Sequence, residues 1–92
     1  MATHLVINGM VQGVGYRASF AQAAIALGLA GWVRNRRNGS VEACIDGDAT
    51  AVDALLVWAR RGPPAARVTD VAVTESEVVI PSDGNFQILP TA

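Results

Sequence analysis

Apolar positions recur every second residue in some stretches of the chain and every three or four residues in others, and the switches between these periods mark out its elements. Residues 3–8 read as a strand, rich in Leu5, Val6 and Ile7. Over residues 17–27 the chain turns alanine-rich, and Phe20, Ala23, Ala24 and Leu27 fall at i, i+3, i+4 and i+7, the stripe of a helix. Gly28 is placed to end it. A second strand follows over 30–36, with Trp32 and Val33 as its apolar content, and Asn38-Gly39 is the strongest hairpin signal in the chain. Alternation is clean in the return strand, 40–46. Val41, Ala43 and Ile45 face one way and Glu42, Cys44 and Asp46 the other, which predicts a sheet with one buried and one wet face. Asp48 suits the N-cap of a second helix over 49–61, with Val52, Leu55, Leu56 and Ala59 as its stripe and Trp58 at the stripe's edge. Gly62-Pro63-Pro64 stops that helix. A further strand is expected over 67–73, then a short apolar run at Val78-Val79-Ile80 and a turn over 81–84. A last strand over 85–89 would carry Phe86 and Ile88 inward.

The order is β-α-β-β-α-β with an extra C-terminal strand. Right-handed crossovers would set both helices on one face of an antiparallel-rich sheet, an α+β sandwich of the ferredoxin-like kind. That topology hosts many activities, so it carries no function by itself.

Composition narrows the class. With 92 residues, 51% hydrophobic and 16% charged, the chain is expected to form one domain, residues 1–92, that folds without metal or disulfide support. The longest apolar run is far too short for a membrane span, and the N-terminal residues carry no basic segment or apolar signal core. A single cysteine cannot form an internal disulfide and fits a reducing compartment, so a cytoplasmic location is expected. A net charge of −1 gives no global pull toward nucleic acid or anionic membrane. All seven basic residues are arginine. The Arg34, Arg36 and Arg37 cluster and the Arg60-Arg61 pair read first as a solvated turn and a helix C-terminus, with attraction of an anionic substrate as the other reading.

Chemistry concentrates between the first strand and the first helix, in Gly9-Met10-Val11-Gln12-Gly13-Val14-Gly15-Tyr16-Arg17. Glycines there let backbone N–H groups converge as bulkier residues could not, and the helix N-terminus adds positive potential. Arg17 supplies a full charge in a fork suited to phosphate oxygens, at a helix end where a cation is otherwise disfavoured. The loop therefore reads as a phosphate cradle, against the plainer reading of a glycine turn. Gly13-x-Gly15-x-x-Ala18 also fits a dinucleotide fingerprint, but the second parallel strand with its acidic ribose reader is replaced by the 35–39 hairpin. The Walker pattern fails because the chain has no lysine. An RNA-binding sheet would need paired aromatics on its central strands, for which Tyr16 and Phe20 are a poor substitute.

These residues resemble the acylphosphatase family. Residues 9–17 are similar to its first signature, G-x-V-Q-G-V-x-F/Y-R. Gly31-Trp32-Val33-Arg34-Asn35, with Gly39-Ser40-Val41 and Gly47, resembles its second, and Pro64-x-Ala66-x-Val68 a shorter third element. Met10 departs from the basic residue common there, Asn38 from a frequent aspartate, and Leu89-Pro90-Thr91-Ala92 from the basic ending of many relatives. The resemblance implies hydrolysis of the carboxyl–phosphate bond of small acyl phosphates, releasing inorganic phosphate, by a monomer with neither metal nor cofactor. It implies that the backbone of Val11, Gln12, Gly13, Val14, Gly15 and Tyr16 cradles the phosphate, that Arg17 binds it, and that Asn35 orients the attacking water. Acylphosphatase-like domains also occur within larger carbamoyl-transfer maturation proteins, where they act on carbamoyl phosphate, and that is the alternative reading.

The sparse chemistry elsewhere suits such a substrate. His4, the sole histidine, falls at the start of the first strand, where it reads as exposed. Glu42 and Asp46 read as the wet side of the sheet and Cys44 as an incidental thiol. A carboxylate leaving group, whose conjugate acid has a pKa near 4.3 as a glutamate does, departs without a strong general acid. Asn35 does not titrate near neutrality, but it can accept a hydrogen bond from water and fix its approach.

Overall fold

The computed structural model describes residues 2–77, 80 and 85–92. Strand β1 (Ala2–Met10) leads through the glycine loop into helix α1 (Tyr16–Ala26). The hairpin β2 (Ala30–Asn35) and β3 (Val41–Asp46) follows, then helix α2 (Ala49–Arg61), strand β4 (Arg67–Ser76) and the short strand β5 (Phe86–Ile88). The strands form one sheet in the order β4-β1-β3-β2-β5. Every pair is antiparallel except β2 with β5, which run parallel with Val33 opposite Ile88. The ferredoxin-like arrangement expected from the element order is thus present, with β5 added beyond β2.

Local chemistry accounts for where the elements stop. Past α1, Leu29 N–H donates to the Ala24 carbonyl and Gly28 N–H to that of Ile25, with Gly28 at φ 72°. That is a Schellman motif, and it buries Leu29 at the exit. Asp48 caps α2 through Oδ2, which accepts from Thr50 N–H. The β2–β3 connection has a three-residue loop rather than a two-residue turn. Arg36 N–H donates to the Ser40 carbonyl and Gly39 N–H to that of Arg36. Gly39 has φ 94° while Asn38 keeps a negative φ, the pattern of a type I turn followed by a G1 bulge. Asn38 Oδ1 accepts from the Ser40 N–H and hydroxyl and stiffens the loop.

Both helices lie on the face that carries Leu5, Ile7, Val33, Val41, Ala43 and Ile45. Helix α1 covers β2 and β5, and α2 covers β4 and β1. An aromatic group joins them: Tyr16 lies 5.4 Å from Trp58, and Phe20 lies 5.8 Å from Trp58 and 5.9 Å from Phe86. Phe86 therefore points inward as expected. Ile88 lies on the same face, opposite Val33, but stays 48% exposed.

The opposite face departs further from expectation. Cys44 and Glu42 are buried, at 1% and 7% exposure, where alternation predicts a wet surface. Cys44 packs with Ala2 and Ile80, flanked by Ala30 and Trp32. The chain returning from β4 thus brings an apolar residue over a face that the strand pattern assigns to water. Of the run 78–80 and the turn expected at 81–84, only Ile80 falls within the described residues. Strand β4 also extends three residues past its expected end, because β1 pairs with it as far as Ala2 opposite Ser76.

Candidate active site

Two glycines shape the loop after β1. Gly13 and Gly15 have φ 75° and 78°, the left-handed region that a side chain disfavours. Gly15 is the N-cap of α1, without a side-chain cap and with no acidic residue in the first turn. Ser19 N–H is the first to close onto a carbonyl of this turn, that of Gly15, at 3.1 Å. The amides of Tyr16, Arg17 and Ala18 come before it, where a helix has no acceptor of its own to offer them. Their partial positive charge is left at the loop, as in an anion site.

A cavity of about 210 Å³ opens at this point, lined by Val11, Gly13, Gly15, Tyr16, Arg17, Ala18, Asn35 and Ile88. Of the residues singled out in sequence, Val11, Gly13, Gly15, Tyr16, Arg17 and Asn35 come together here. The side chains of Gln12 and Val14 turn away from it: that of Gln12 reaches the β2–β3 loop, and that of Val14 packs on the core. Arg17 has no ion-pair partner among the described residues, and the lining contains no carboxylate. Its guanidinium is therefore available to an anion.

Asn35 arrives from the other side of the site. It ends β2, pairs with Val41 and shares the helix-bearing face with Val33. The chain after β5 runs on beside it: Leu89 N–H donates to the Val33 carbonyl, and Ala92 N–H to the Asn35 carbonyl at 3.0 Å. The backbone of Asn35 is thus fixed, yet its Oδ1 is buried with no hydrogen-bond partner among the described residues. A buried acceptor in that state costs about 1–3 kcal/mol. It calls for a donor from within the cavity.

Sequence reasoning misplaces the other polar residues. His4 is not an exposed strand end; its Nε2 lies 2.7 Å from Glu42 Oε2. Arg34 donates to Glu42 Oε1 at 2.8 Å, and Arg36 lies 3.4 Å from Oε2. Arg34 also lies over the Trp32 ring, 4.9 Å from its centroid. Two arginines of the turn cluster are therefore held by a buried carboxylate on the far side of the sheet. Burial pushes Glu42 up, but hydrogen bonds from His4 and Arg34 and the charges of Arg34 and Arg36 outweigh it, and the carboxyl ends below its ordinary range. Burial pushes the Cys44 thiol up, which suits an inert side chain and not a nucleophile. A roomier hollow of about 650 Å³ lies beside Ser19, Gln22, Trp58, Arg61 and Pro63. It is lined by none of Gly13, Gly15, Arg17 and Asn35.

The chain matches the family model described as acylphosphatase over residues 3–88. It is 59% identical over 75 residues to an acylphosphatase of Methylococcus capsulatus, covering 82% of each chain. It is also 59% identical over 73 residues to an acylphosphatase of Acidovorax sp., covering 79% of this chain and 75% of that one. Among solved structures, it resembles the acylphosphatase from Bacillus subtilis with a TM-score of 0.86 and 36% identity, over 96% of this chain and 97% of that one.

Proposed function

The chain belongs to the acylphosphatase family and is a hydrolase of the carboxyl–phosphate bond of acyl phosphates; we propose that it acts in the cavity between the 11–17 loop and Asn35. The phosphoryl group sits against the loop amides from Val11 to Tyr16, with the Arg17 guanidinium on its equatorial oxygens. These donors are fixed before substrate arrives, so they stabilise charge in the transition state with little reorganisation. Asn35 Oδ1 accepts a hydrogen bond from water and holds it in line with the bond to be broken. The water oxygen bonds to phosphorus, the bond from phosphorus to the acyl oxygen breaks, and the electron pair leaves with the carboxylate. The proton lost by water goes to an oxygen of the transferred phosphate. Phosphoryl transfer asks chiefly for positioning and charge stabilisation.

One observation carries this reading: an unpartnered buried acceptor on Asn35 shares a cavity with Arg17 and with left-handed glycines at a helix start. The family match and the relatives' names favour free acyl phosphates over the carbamoyl-phosphate alternative. The same reading takes residues 1–92 as one domain acting as a cytoplasmic monomer, with no role in binding nucleic acid or membrane. Among the described residues, no helix is long and apolar enough to cross a membrane. The test is release of inorganic phosphate from acetyl phosphate by the purified protein, with and without a chelator. Hydrolysis unaffected by the chelator and inhibited by added phosphate is expected. Activity abolished by chelation would refute the metal-independent mechanism.

A further inference from the structure

The two halves of the site belong to strands that are not neighbours. Strand β3 separates β1, which feeds the cradle, from β2, which carries Asn35. The cradle must therefore reach across the start of β3 to face the amide of Asn35. One side chain spans that gap. Gln12 Nε2 lies 2.7 Å from the Arg36 carbonyl and 2.8 Å from the Ser40 carbonyl. These two residues close the β2–β3 loop, Arg36 N–H donating to the Ser40 carbonyl at 2.8 Å. Arg36 directly follows Asn35. The Gln12 side chain is engaged by these carbonyls, so its carboxamide acts on the frame of the site and not on substrate.

Resting on the proposed roles of the cradle and Asn35, we infer that Gln12 is a positioning residue, whose carboxamide sets the distance between the phosphate cradle and the water-orienting amide. The donor count makes the requirement specific. Two carbonyl oxygens face one nitrogen, and a carboxamide offers a hydrogen to each. Glutamate has the same shape but presents an oxygen to both carbonyls. Asparagine keeps both donors and is one methylene short. Among the described residues, the carbonyls otherwise accept from the loop itself, Arg36 from Gly39 N–H and Ser40 from Arg36 N–H.

The experiment is a double-mutant cycle. Gln12→Ala and Gln12→Glu are each made in the wild type and in Asn35→Ala, and kcat, KM for acetyl phosphate and inhibition by inorganic phosphate are measured. A misplacement of about 1 Å costs on the order of 10²-fold in rate. Both substitutions are therefore expected to lower kcat by about 10- to 100-fold, Gln12→Glu by the larger factor, with phosphate inhibition changed less than about 3-fold. In Asn35→Ala the same substitutions should lower kcat less than about 3-fold, because no aimed water remains to be misplaced. Equal losses in both backgrounds, or wild-type kcat in Gln12→Glu, would overturn the inference while leaving the site assignment intact. Should Gln12→Ala fail to fold, Gln12→Glu and Gln12→Asn carry the cycle, and Gln12→Asn is expected to retain more turnover than Gln12→Glu. Full turnover in Asn35→Ala alone would overturn the assignment of Asn35, and this inference with it.

Discussion

Arg17 occupies the second position of α1, where the helix dipole repels it, and no carboxylate among the described residues compensates. Its presence makes physical sense when an anion sits between it and the loop amides. Arg17→Ala is accordingly expected to abolish inhibition by inorganic phosphate and lower kcat/KM by about 10²- to 10³-fold, the loss typical of removing a fixed oxyanion donor. Asn35→Ala separates the other role: a loss in kcat on the order of 10²-fold with phosphate inhibition nearly unchanged, read from the same steady-state assay. Weakened inhibition with normal kcat would contradict the assigned role of Asn35. The loop glycines differ in kind from Gly31. A β-carbon at Gly13 or Gly15 meets nothing within 4 Å, so substitution by alanine costs only the left-handed backbone, about 1–2 kcal/mol in a denaturant titration. At Gly31 a β-carbon would overlap the Cys44 carbonyl oxygen in the neighbouring strand. Gly31→Ala is expected to prevent recovery of folded protein.

Among the elements, α2 ends with an unusual debt. The carbonyl of Ala59 would normally receive the N–H four residues on, but that residue is Pro63, which has none. The Tyr16 hydroxyl donates to it instead, at 2.8 Å within the core. The first residue of α1, which also lines the cavity, thereby completes the last turn of α2. Burial pushes the phenol well above its ordinary range, so it remains a donor throughout the working pH range. Tyr16→Phe keeps the ring and strands the carbonyl; a stability loss of about 1–3 kcal/mol in urea unfolding is expected. Signals of this local kind were readable in the chain: the Gly28 stop, the Asp48 cap, the glycine loop and the hairpin residues each act within a few positions. What escaped reading depends on partners far off in sequence. The partners of Gln12 are 24 and 28 positions away, and those of Tyr16 and His4 are 43 and 38 away. Strict alternation in β3 gave the right inward residues, yet it could not say what would cover Cys44 and Glu42 from the other side.

At the scale of the molecule, the sheet separates two environments: the proposed active site on the helical side, and a buried carboxylate with its three basic partners behind it. That arrangement links stability to acidity with a definite sign. Glu42 titrates lower in the fold than its ordinary 4.5, so the folded state favours the ionised form. The contribution is complete above the unfolded value and is lost as pH falls through it toward the folded one. Wild type should therefore lose more stability between about pH 5 and pH 3 than Glu42→Gln does, as read from urea midpoints across that range. Glu42→Gln should itself be about 1–2 kcal/mol less stable at neutral pH. The aromatic contact between Tyr16 and Trp58, 5.4 Å from ring to ring, has an optical consequence. One of the two indoles in the chain packs on Tyr16, which lines the proposed active-site cavity, and the other, Trp32, lies on the reverse of the sheet. Occupancy of the cavity should register in the emission of Trp58 alone, giving an intrinsic fluorescence readout of ligand titration without any attached dye.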